Sequence, residues 1–426
     1  MRVGEIALLH LVLTRACNLR CRYCYQRGAP PGRMPWETLR CALDWARSVG
    51  RRGIEIVFSG GEPLLELPLI QRAVAYANAR RAPGPPPQFI VLTNGMLLDD
   101  RAIGFLACHD IDVQLSLDGL RYVQEQRAPG TFAVLDARLE RLLTGWTDYA
   151  REHLTVGMTV TPDAVPYLAA SIEHLLERGV PRISLAPAHG AAGDGPVEAG
   201  VLAAQFERVG RLAQARFARD GEIPLLFLRG GATPSPPPPE CGPVCGAAAA
   251  IQPAVDVDGR VYPCALLIES MLSAAAPWLR GEARRLCIGD VSDPELEFRR
   301  EAFVARAADS PLLTGRERWH SGGARCATCA WLGSCGVCPV AGGWTSSGDD
   351  RDRVPDFLCA FAREALGAQQ RFAATIGASA PRAAATDRMA RFLGVTELPP
   401  ALRRVAAFLP AERAPDPALA NRRRAE

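Results

Sequence analysis

The stretch ALLHLVLTRACNLRCRYC, residues 7–24, joins an apolar run to three closely spaced cysteines. We interpret residues 7–13 as a buried strand, because the run is short and rich in leucine and valine. Cys17, Cys21 and Cys24 follow it in the spacing C-x3-C-x2-C. Iron–sulfur clusters and structural zinc sites normally use four ligands, so three thiolates predict a metal centre with one position left open. A partial zinc knuckle, or cysteines one helical turn apart, also fits this spacing taken alone.

The rest of the first half alternates between apolar runs and amphipathic stretches. Five further runs have the length of strands, at residues 54–59, 88–93, 111–117, 154–160 and 182–187. Helix-like segments lie between the runs, for example residues 35–50 and 165–179. Six repeats of strand and then helix predict an α/β fold, a partial (β/α)6 barrel of the TIM type. Ligands of such sheets bind at the carboxyl ends of the strands.

The composition is that of a globular protein, with 426 residues of which 48% are hydrophobic and 22% are charged. The formal charge of +3 gives no reason to expect a nucleic-acid partner. We find no run of the roughly 18 apolar residues that a membrane span needs. The apolar run near the amino terminus also lacks a small-residue cleavage site. We therefore expect no membrane association and a cytoplasmic location.

Most of the 14 cysteines fall into clusters. Because the cytosol keeps thiols reduced, clustered cysteines indicate metal ligands and not disulfides. Eight of them belong to the second half: Cys241, Cys245, Cys264, Cys326, Cys329, Cys335, Cys338 and Cys359. Cys41, Cys108 and Cys287 lie singly within apolar patterns, which is typical of buried structural thiols.

Glycine-rich and polar motifs directly follow the second, third and fourth predicted strands. Glycines let the backbone approach a ligand closely, and a neighbouring carboxylate can order a positively charged amino group. Tyr23 also places an aromatic ring between the last two cysteines of the first cluster. The motifs are FSGGEP with Gly60, Gly61, Glu62 and Pro63, LTNG with Asn94, and SLDG with Ser116 and Asp118.

In this order and on these elements, the motifs resemble those of the radical SAM superfamily, whose hallmark is C-x3-C-x2-C after the first strand of a partial barrel. The resemblance covers roughly residues 6–190. It implies that Cys17, Cys21 and Cys24 hold a [4Fe–4S] cluster whose open iron binds S-adenosyl-L-methionine (SAM). It also implies that reductive cleavage of SAM gives a 5′-deoxyadenosyl radical, which removes a hydrogen atom from the substrate.

The resemblance further implies where SAM would lie. Tyr23 would lie against the adenine, and the GGEP motif would meet the amino group of the methionine moiety. The polar strand ends would meet the sugar and the carboxylate. The SAM-binding residues implied in this way are Tyr23, Gly60, Gly61, Glu62, Pro63, Asn94, Ser116 and Asp118. The chemistry requires no protein nucleophile, and we name no catalytic residue.

The second half resembles the SPASM extension of radical SAM enzymes. Residues 255–264, VDVDGRVYPC, predict a hairpin turning at Asp258-Gly259. Residues 326–338, CATCAWLGSCGVC, give C-x2-C-x5-C-x2-C, one residue shorter in the last spacing than the usual extension. The resemblance implies two auxiliary [4Fe–4S] clusters, one held by Cys241, Cys245, Cys264 and Cys338 and the other by Cys326, Cys329, Cys335 and Cys359. One or two zinc ribbons are the alternative.

The proline run in GGATPSPPPPE separates the two halves, because a stiff spacer cannot enter a core. We divide the chain into a partial barrel with its following helix, a proline-rich linker, a SPASM domain and a helical, disordered extension. Their ranges are 1–229, 230–240, 241–375 and 376–426.

The SPASM resemblance implies a maturase that cross-links, oxidises or epimerises a ribosomally made peptide or a protein. A flavodoxin- or ferredoxin-type protein would donate the electron. Because the barrel begins near residue 6, leader recognition would need a separate protein or the carboxyl-terminal extension. Ala265 follows Cys264 where anaerobic sulfatase maturases carry an aspartate base, which argues against formylglycine formation. The alternatives are a dehydrogenase or epimerase of a small molecule such as an aminoglycoside, and a non-enzymatic electron carrier.

Overall fold

A computed structural model describes most of both halves of the chain. The described residues are 6–24, 26–50, 53–80, 85–193, 195–229, 246–307, 310, 313, 329–338, 340–344 and 354–376. The predicted linker 230–240, the extension from residue 377 onward, and the predicted ligands Cys241, Cys245 and Cys326 lie outside them.

Six parallel strands form the first half, as the apolar runs predicted, and each observed end lies within one residue of its predicted end. In β1, residues 11–14 are buried one after another, which is typical of a parallel strand covered on both faces. Each strand pairs with the next one along the chain. The strands are β1 (Leu8–Thr14), β2 (Glu55–Gly60), β3 (Gln88–Thr93), β4 (Asp112–Ser116), β5 (Leu154–Val160) and β6 (Ile183–Pro187).

Helices connect these strands and cover the sheet. In the first helix, Leu39, Leu43 and Ala46 are buried at a spacing of four and three residues, so one face packs on the sheet. The helices of this half are α1 (Trp36–Val49), α2 (Leu67–Ala79), α3 (Asp100–Cys108), α4 (Arg121–Arg127), α5 (Phe132–Gly145), α6 (Thr147–His153), α7 (Leu168–Glu177) and α8 (Ala199–Asp220). Fold class and strand order therefore confirm the partial (β/α)6 barrel.

The second half extends the same sheet on the other side of β1. β7 (Ala254–Val255) pairs parallel to β1, with Ala254 beside His10. β8 (Arg260–Tyr262) and β9 (Gly289–Asp290) continue antiparallel. Gly259 has a φ of +92° in the loop between β7 and β8, so the predicted hairpin is present. Within the described residues the strand order is β6-β5-β4-β3-β2-β1-β7-β8-β9, and β1 lies inside the sheet.

Helices of the second half return the chain to the barrel. α9 (Pro277–Arg285) and α10 (Leu296–Ala307) lie on either side of β9 in sequence, and α11 spans Asp356–Ile376. Phe361 and Phe372 of α11 meet Phe206 and Phe217 of α8 edge to face, with ring centroids 5.1 and 6.3 Å apart. One hydrophobic core consequently includes residues of both halves. Within the described ranges, no helix is long and apolar enough to cross a membrane.

Candidate functional site

The three clustered cysteines lie in the loop that follows β1, at the carboxyl end of the sheet. Cys21 and Cys24 are half-buried, Cys17 is more exposed, and all three are free thiols. Burial raises the pKa of the Cys24 thiol, and the charge of Cys21 raises it further. Desolvation and the charges of Glu62 and Cys21 likewise raise the pKa of Cys17. The three sulfurs therefore interact electrostatically, and a bound cation would favour their thiolate forms.

The described residues contain no set of three or more His, Cys, Asp or Glu side chains arranged as a preformed metal site. The donor set nevertheless fits an iron–sulfur cluster in its chemistry. It consists of three free thiols on one short loop, and thiolate is the ligand that such clusters require. The backbone at the start of this loop is held by hydrogen bonds from Gly61 and Glu62 to residues 14 and 16.

The two glycines of the GGEP motif lie directly against the cysteine loop. The N–H of Gly61 donates to the Thr14 carbonyl at 2.8 Å, and the N–H of Glu62 donates to the Ala16 carbonyl at 2.9 Å. A Cβ at Gly60 would lie 2.2 Å from the Thr14 oxygen, and one at Gly61 would lie 2.2 Å from the Ala16 oxygen. Gly60 also has a φ of +133°. The structure thus gives these glycines a role in the fold, namely to let the loop cross the end of β2.

The carboxylate of Glu62 is fully buried and joins the ends of β2 and β3. It accepts hydrogen bonds from Thr93 Oγ1 at 2.7 Å, from the Asn94 N–H at 2.8 Å and from the Leu64 N–H at 3.0 Å. Burial raises its pKa, against the opposing effect of these three donors. Pro63 begins the short 3-10 helix Pro63–Glu66, which continues directly into α2.

Asn94 connects β3 to the cysteine loop. Its side-chain amide lies 3.6 Å from Cys17 Sγ and donates to Asn18 Oδ1 at 2.8 Å. Its backbone N–H is one of the three donors to Glu62. The structure therefore brings the ends of β1, β2 and β3 together around Cys17, as expected for motifs at the carboxyl ends of parallel strands.

Tyr23 and Asp118 contact each other across the mouth of the barrel. The Tyr23 hydroxyl donates to Asp118 Oδ2 at 2.6 Å, and the Thr159 N–H donates to Asp118 Oδ1 at 2.8 Å. Asp118 is almost fully buried. Ser116 is the last residue of β4, where it pairs in register with Gly157 and is half-buried.

Arg127 is a buried residue of this region that sequence reasoning missed. It ends α4, and its Nη1 donates to Asp118 Oδ1 at 3.3 Å. Its guanidinium carbon lies 5.3 Å from the centroid of the Tyr23 ring. The sequence carried no signal for it, because Arg127 lies nine residues beyond Asp118 in a helix where another arginine, Arg121, looks equivalent.

A buried ion pair joins the cysteine loop to the second half. Arg15 lies two residues before Cys17, and its Nη2 donates to Asp256 Oδ2 at 2.8 Å and its Nε to Oδ1 at 3.3 Å. The two side chains are 9% and 2% exposed. Asp256 also accepts from the Val257 N–H at 2.7 Å in the loop between β7 and β8. The hairpin that leads to Cys264 is thereby fixed against the first cluster of cysteines.

The described cysteines of the second half occupy loop and helix positions. Cys264 follows β8 and precedes the 3-10 helix Ala265–Leu267. Cys335 follows the 3-10 helix Leu332–Ser334, and Cys359 lies in the first turn of α11. Cys329 and Cys338 lie in the same described loop region as Cys335, and Cys264 and Cys338 both pack against the common core. With three of the eight predicted ligands outside the described residues, the two auxiliary sets stay predictions.

The fold and the site together are those of a radical SAM domain, in which three thiols lie on the loop after the first strand of a partial parallel barrel. Comparison with known proteins agrees, since residues 11–165 match the Radical SAM superfamily. Residues 11–165 therefore form a radical SAM domain, and this domain supports an enzyme. The superfamily implies SAM and a [4Fe–4S] cluster as its cofactors.

Similar proteins of known sequence match parts of the chain. An uncharacterised protein of Methanocaldococcus jannaschii is 32% identical over 41% of this chain and 61% of its own length. A GTP 3′,8-cyclase of Corynebacterium glutamicum is 34% identical over 32% of this chain and 39% of its own. A serine-type anaerobic sulfatase-maturating enzyme of Klebsiella aerogenes is 36% identical over 27% of this chain and 30% of its own. The chain thus spans between 30% and 61% of the length of these relatives.

Solved structures with the same fold match a larger share of the chain. Native anSMEcpe with bound AdoMet and the Kp18Cys peptide has a TM-score of 0.64 at 16% identity, over 87% of this chain and 98% of that one. Streptococcus suis SuiB bound to the precursor peptide SuiA has a TM-score of 0.52 at 14% identity, over 84% and 76%. At these identities the likeness shows the fold, and it extends beyond the barrel into the second half.

Proposed function

We propose that this enzyme is a radical SAM maturase of the SPASM type that abstracts hydrogen from a ribosomally made peptide or a protein, leading to cross-linking, oxidation or epimerisation. One observation carries the proposal. Solved structures that hold peptides, among them anSMEcpe with Kp18Cys and SuiB with SuiA, share the fold of this chain over 84% or more of its length.

Three thiols and their neighbours would hold the first cofactor. Cys17, Cys21 and Cys24 would bind a [4Fe–4S] cluster, and the Asn94 amide, 3.6 Å from Cys17 Sγ, is placed to donate to a ligand sulfur. When bound, the cluster and SAM supply the one-electron chemistry that starts hydrogen abstraction. Among the implied SAM contacts, Tyr23 belongs to this loop, and Glu62 and Asp118 lie beside it.

In the second half, the cysteines would hold two auxiliary [4Fe–4S] clusters. Cys264, Cys329, Cys335, Cys338 and Cys359 lie within the described residues, and Cys264 and Cys338 pack against the core that both halves share. Residue Ala265, directly after Cys264, carries no base, so we propose a product other than formylglycine. A flavodoxin- or ferredoxin-type donor and a separate leader-binding protein complete the proposed partners, and a cytoplasmic location fits them.

A small-molecule substrate is the second candidate, because GTP 3′,8-cyclases, named for a nucleotide, are among the relatives. In this case the enzyme would dehydrogenate or epimerise a natural product such as an aminoglycoside. The two candidates differ in which compound gives up its hydrogen.

Isotope transfer tests the proposal directly. The anaerobically reconstituted enzyme is incubated with dithionite, SAM and a deuterated peptide encoded beside its gene, and 5′-deoxyadenosine is analysed by mass spectrometry. We expect deuterium from the peptide in 5′-deoxyadenosine, and none from the Cys24→Ala variant, which lacks a thiolate for the cluster. Deuterium arriving only from a labelled sugar or amino-acid metabolite would favour the small-molecule enzyme.

A further inference from the structure

Arg127 carries a buried positive charge at the mouth of the barrel. Its side chain is 9% exposed, and its Nε is buried without an acceptor among the described residues. The backbone carbonyl of Arg127 accepts from the N–H of Arg22 at 3.2 Å, so the end of α4 is fixed directly against the cysteine loop. Buried charges are screened by solvent and salt far less than exposed ones.

Asp118, the partner of Arg127, neutralises this charge only in part. One guanidinium nitrogen donates to the carboxylate, at a long 3.3 Å, whereas the neutral donors of Tyr23 and Thr159 lie closer, at 2.6 and 2.8 Å. The carboxylate is therefore shared among three donors, and a bidentate arginine–carboxylate pair does not form. Positive potential remains available to other groups near the guanidinium.

The cysteine loop lies within the electrostatic field of Arg127. Burial lowers the pKa of the Arg127 guanidinium, but the charges of Asp118, Tyr23 and Cys21 outweigh burial and raise it overall. The positive charge of this guanidinium acts to lower the pKa of Cys24, against the effect of burial, and thus favours its thiolate. The Arg127 guanidinium carbon also lies 5.3 Å from the centroid of the Tyr23 ring, and Tyr23 lies between Cys21 and Cys24 in the loop, so the charge is close to both of these thiols.

We propose that Arg127 is a positioning residue whose buried charge raises the reduction potential of the cluster held by Cys17, Cys21 and Cys24. The inference rests on the proposed function, because it needs a cluster at these thiols. Reduction adds negative charge to a cluster, so a nearby fixed positive charge stabilises the reduced form. The negative charge of Asp118 partly cancels the positive charge of Arg127 and so limits the effect of Arg127 on the cluster's reduction potential.

Redox titration of the reconstituted enzyme tests this inference without a substrate. The reduced cluster is followed by its electron paramagnetic resonance signal in a background where Cys264 and Cys359 are replaced by Ala, to simplify the auxiliary signals. Arg127→Met removes the charge, Arg127→Lys keeps it, and Asp118→Asn removes its counter-charge. Arg22→Met is the matched control, since Arg22 belongs to the loop itself but is 52% exposed and paired with Asp163.

The two charge-removing variants are expected to shift the potential in opposite directions. Arg127→Met should lower the ratio of reduced to oxidised cluster about tenfold at a fixed potential, equal to about 59 mV for one electron. Arg127→Lys should shift the reduction potential less than Arg127→Met does. Asp118→Asn should raise the potential, and Arg22→Met should leave it nearly unchanged.

If Arg127 had a merely structural role, Arg127→Met and Asp118→Asn would shift the reduction potential in the same direction, because both break the same hydrogen bonds. That result would overturn the inference. Should Arg127→Met fail to fold, Asp118→Asn still decides, because an unchanged or lowered reduction potential in that variant would overturn the inference. A wild-type enzyme without any cluster signal at these thiols would instead overturn the proposed function, and the inference with it.

Discussion

At the scale of single residues, the site depends on backbone contacts that leave no room for side chains. Gly60 and Gly61 lie in close contact with residues 14–16, and the backbone N–H groups of Gly61 and Glu62 donate hydrogen bonds to this segment, directly before the cysteines. Glu62 then fixes the end of β3 through Thr93 and Asn94. The GGEP motif thus supports the loop before any ligand is bound, whatever it contributes to SAM binding.

The substitution Gly61→Ala tests this support. The new Cβ would lie 2.2 Å from the Ala16 oxygen, so the loop must shift. We expect the free energy of unfolding to fall by about 1–3 kcal/mol, as for other overpacked sites, and iron retention to fall with it. Gly200→Ala in α8 is the control, because its Cβ meets nothing within 4 Å. Equal stability and iron content in the two variants would contradict the supporting role.

The buried carboxyl of Glu62 predicts a pH dependence of stability. Its pKa in the folded protein is raised above the usual 4.5, chiefly by burial, so the folded state binds its proton more tightly than the unfolded state. The stabilisation from this group is therefore fully present below the unfolded pKa and is lost as pH rises through the folded pKa. In urea unfolding from about pH 5 to about pH 8, wild type should lose stability relative to Glu62→Gln. A difference that grows in favour of wild type would mean that the three hydrogen bonds outweigh burial.

At the scale of elements, long apolar runs were predictable and short pairings were not. β1 to β6 span five to seven residues each, enough for their apolar runs to stand out. β7 and β9 have two residues each. β7 pairs with β1, which lies more than 200 residues earlier in the chain, and β9 pairs with β8 across the segment that holds α9. The Asp258-Gly259 turn marked the hairpin, but nothing local to Ala254 and Val255 indicated that β7 would pair with β1. The Arg15–Asp256 and Arg127–Asp118 pairs could not be predicted for the same reason, because the sequence does not indicate which charged residues contact each other in the fold.

The Arg15–Asp256 ion pair should hold the hairpin against the barrel. Asp256→Asn would leave the Arg15 charge buried and uncompensated, and breaking a buried pair in this way costs about 3–5 kcal/mol of stability. Asp163→Asn is the control, because the Arg22–Asp163 pair is 52% and 61% exposed, and exposed pairs contribute about 0–1 kcal/mol. Urea unfolding of the two variants compares them. A loss for Asp256→Asn as small as that for Asp163→Asn would show that the hairpin is held by other contacts.

At the scale of the whole molecule, the two halves share one sheet and one core. β7 lies beside β1, and α11 lies along α8, so the described part of the second half contacts the barrel at both of these places. Cysteines that are far apart in sequence are thereby attached to one framework, formed by the shared sheet and core. We propose that this framework carries three iron–sulfur clusters, with the one at Cys17, Cys21 and Cys24 distinct from the two in the second half.

Iron and acid-labile sulfide content tests that claim most directly. The wild-type enzyme, reconstituted anaerobically, should bind about twelve irons and about twelve sulfides, because each [4Fe–4S] cluster contributes four of each. Replacing Cys17, Cys21 and Cys24 together by Ala should leave about eight of each. Replacing Cys41 and Cys108, which lie in α1 and α3, should change neither count. Zinc without acid-labile sulfide in the wild-type enzyme, or an unchanged iron content in the triple variant, would contradict the account.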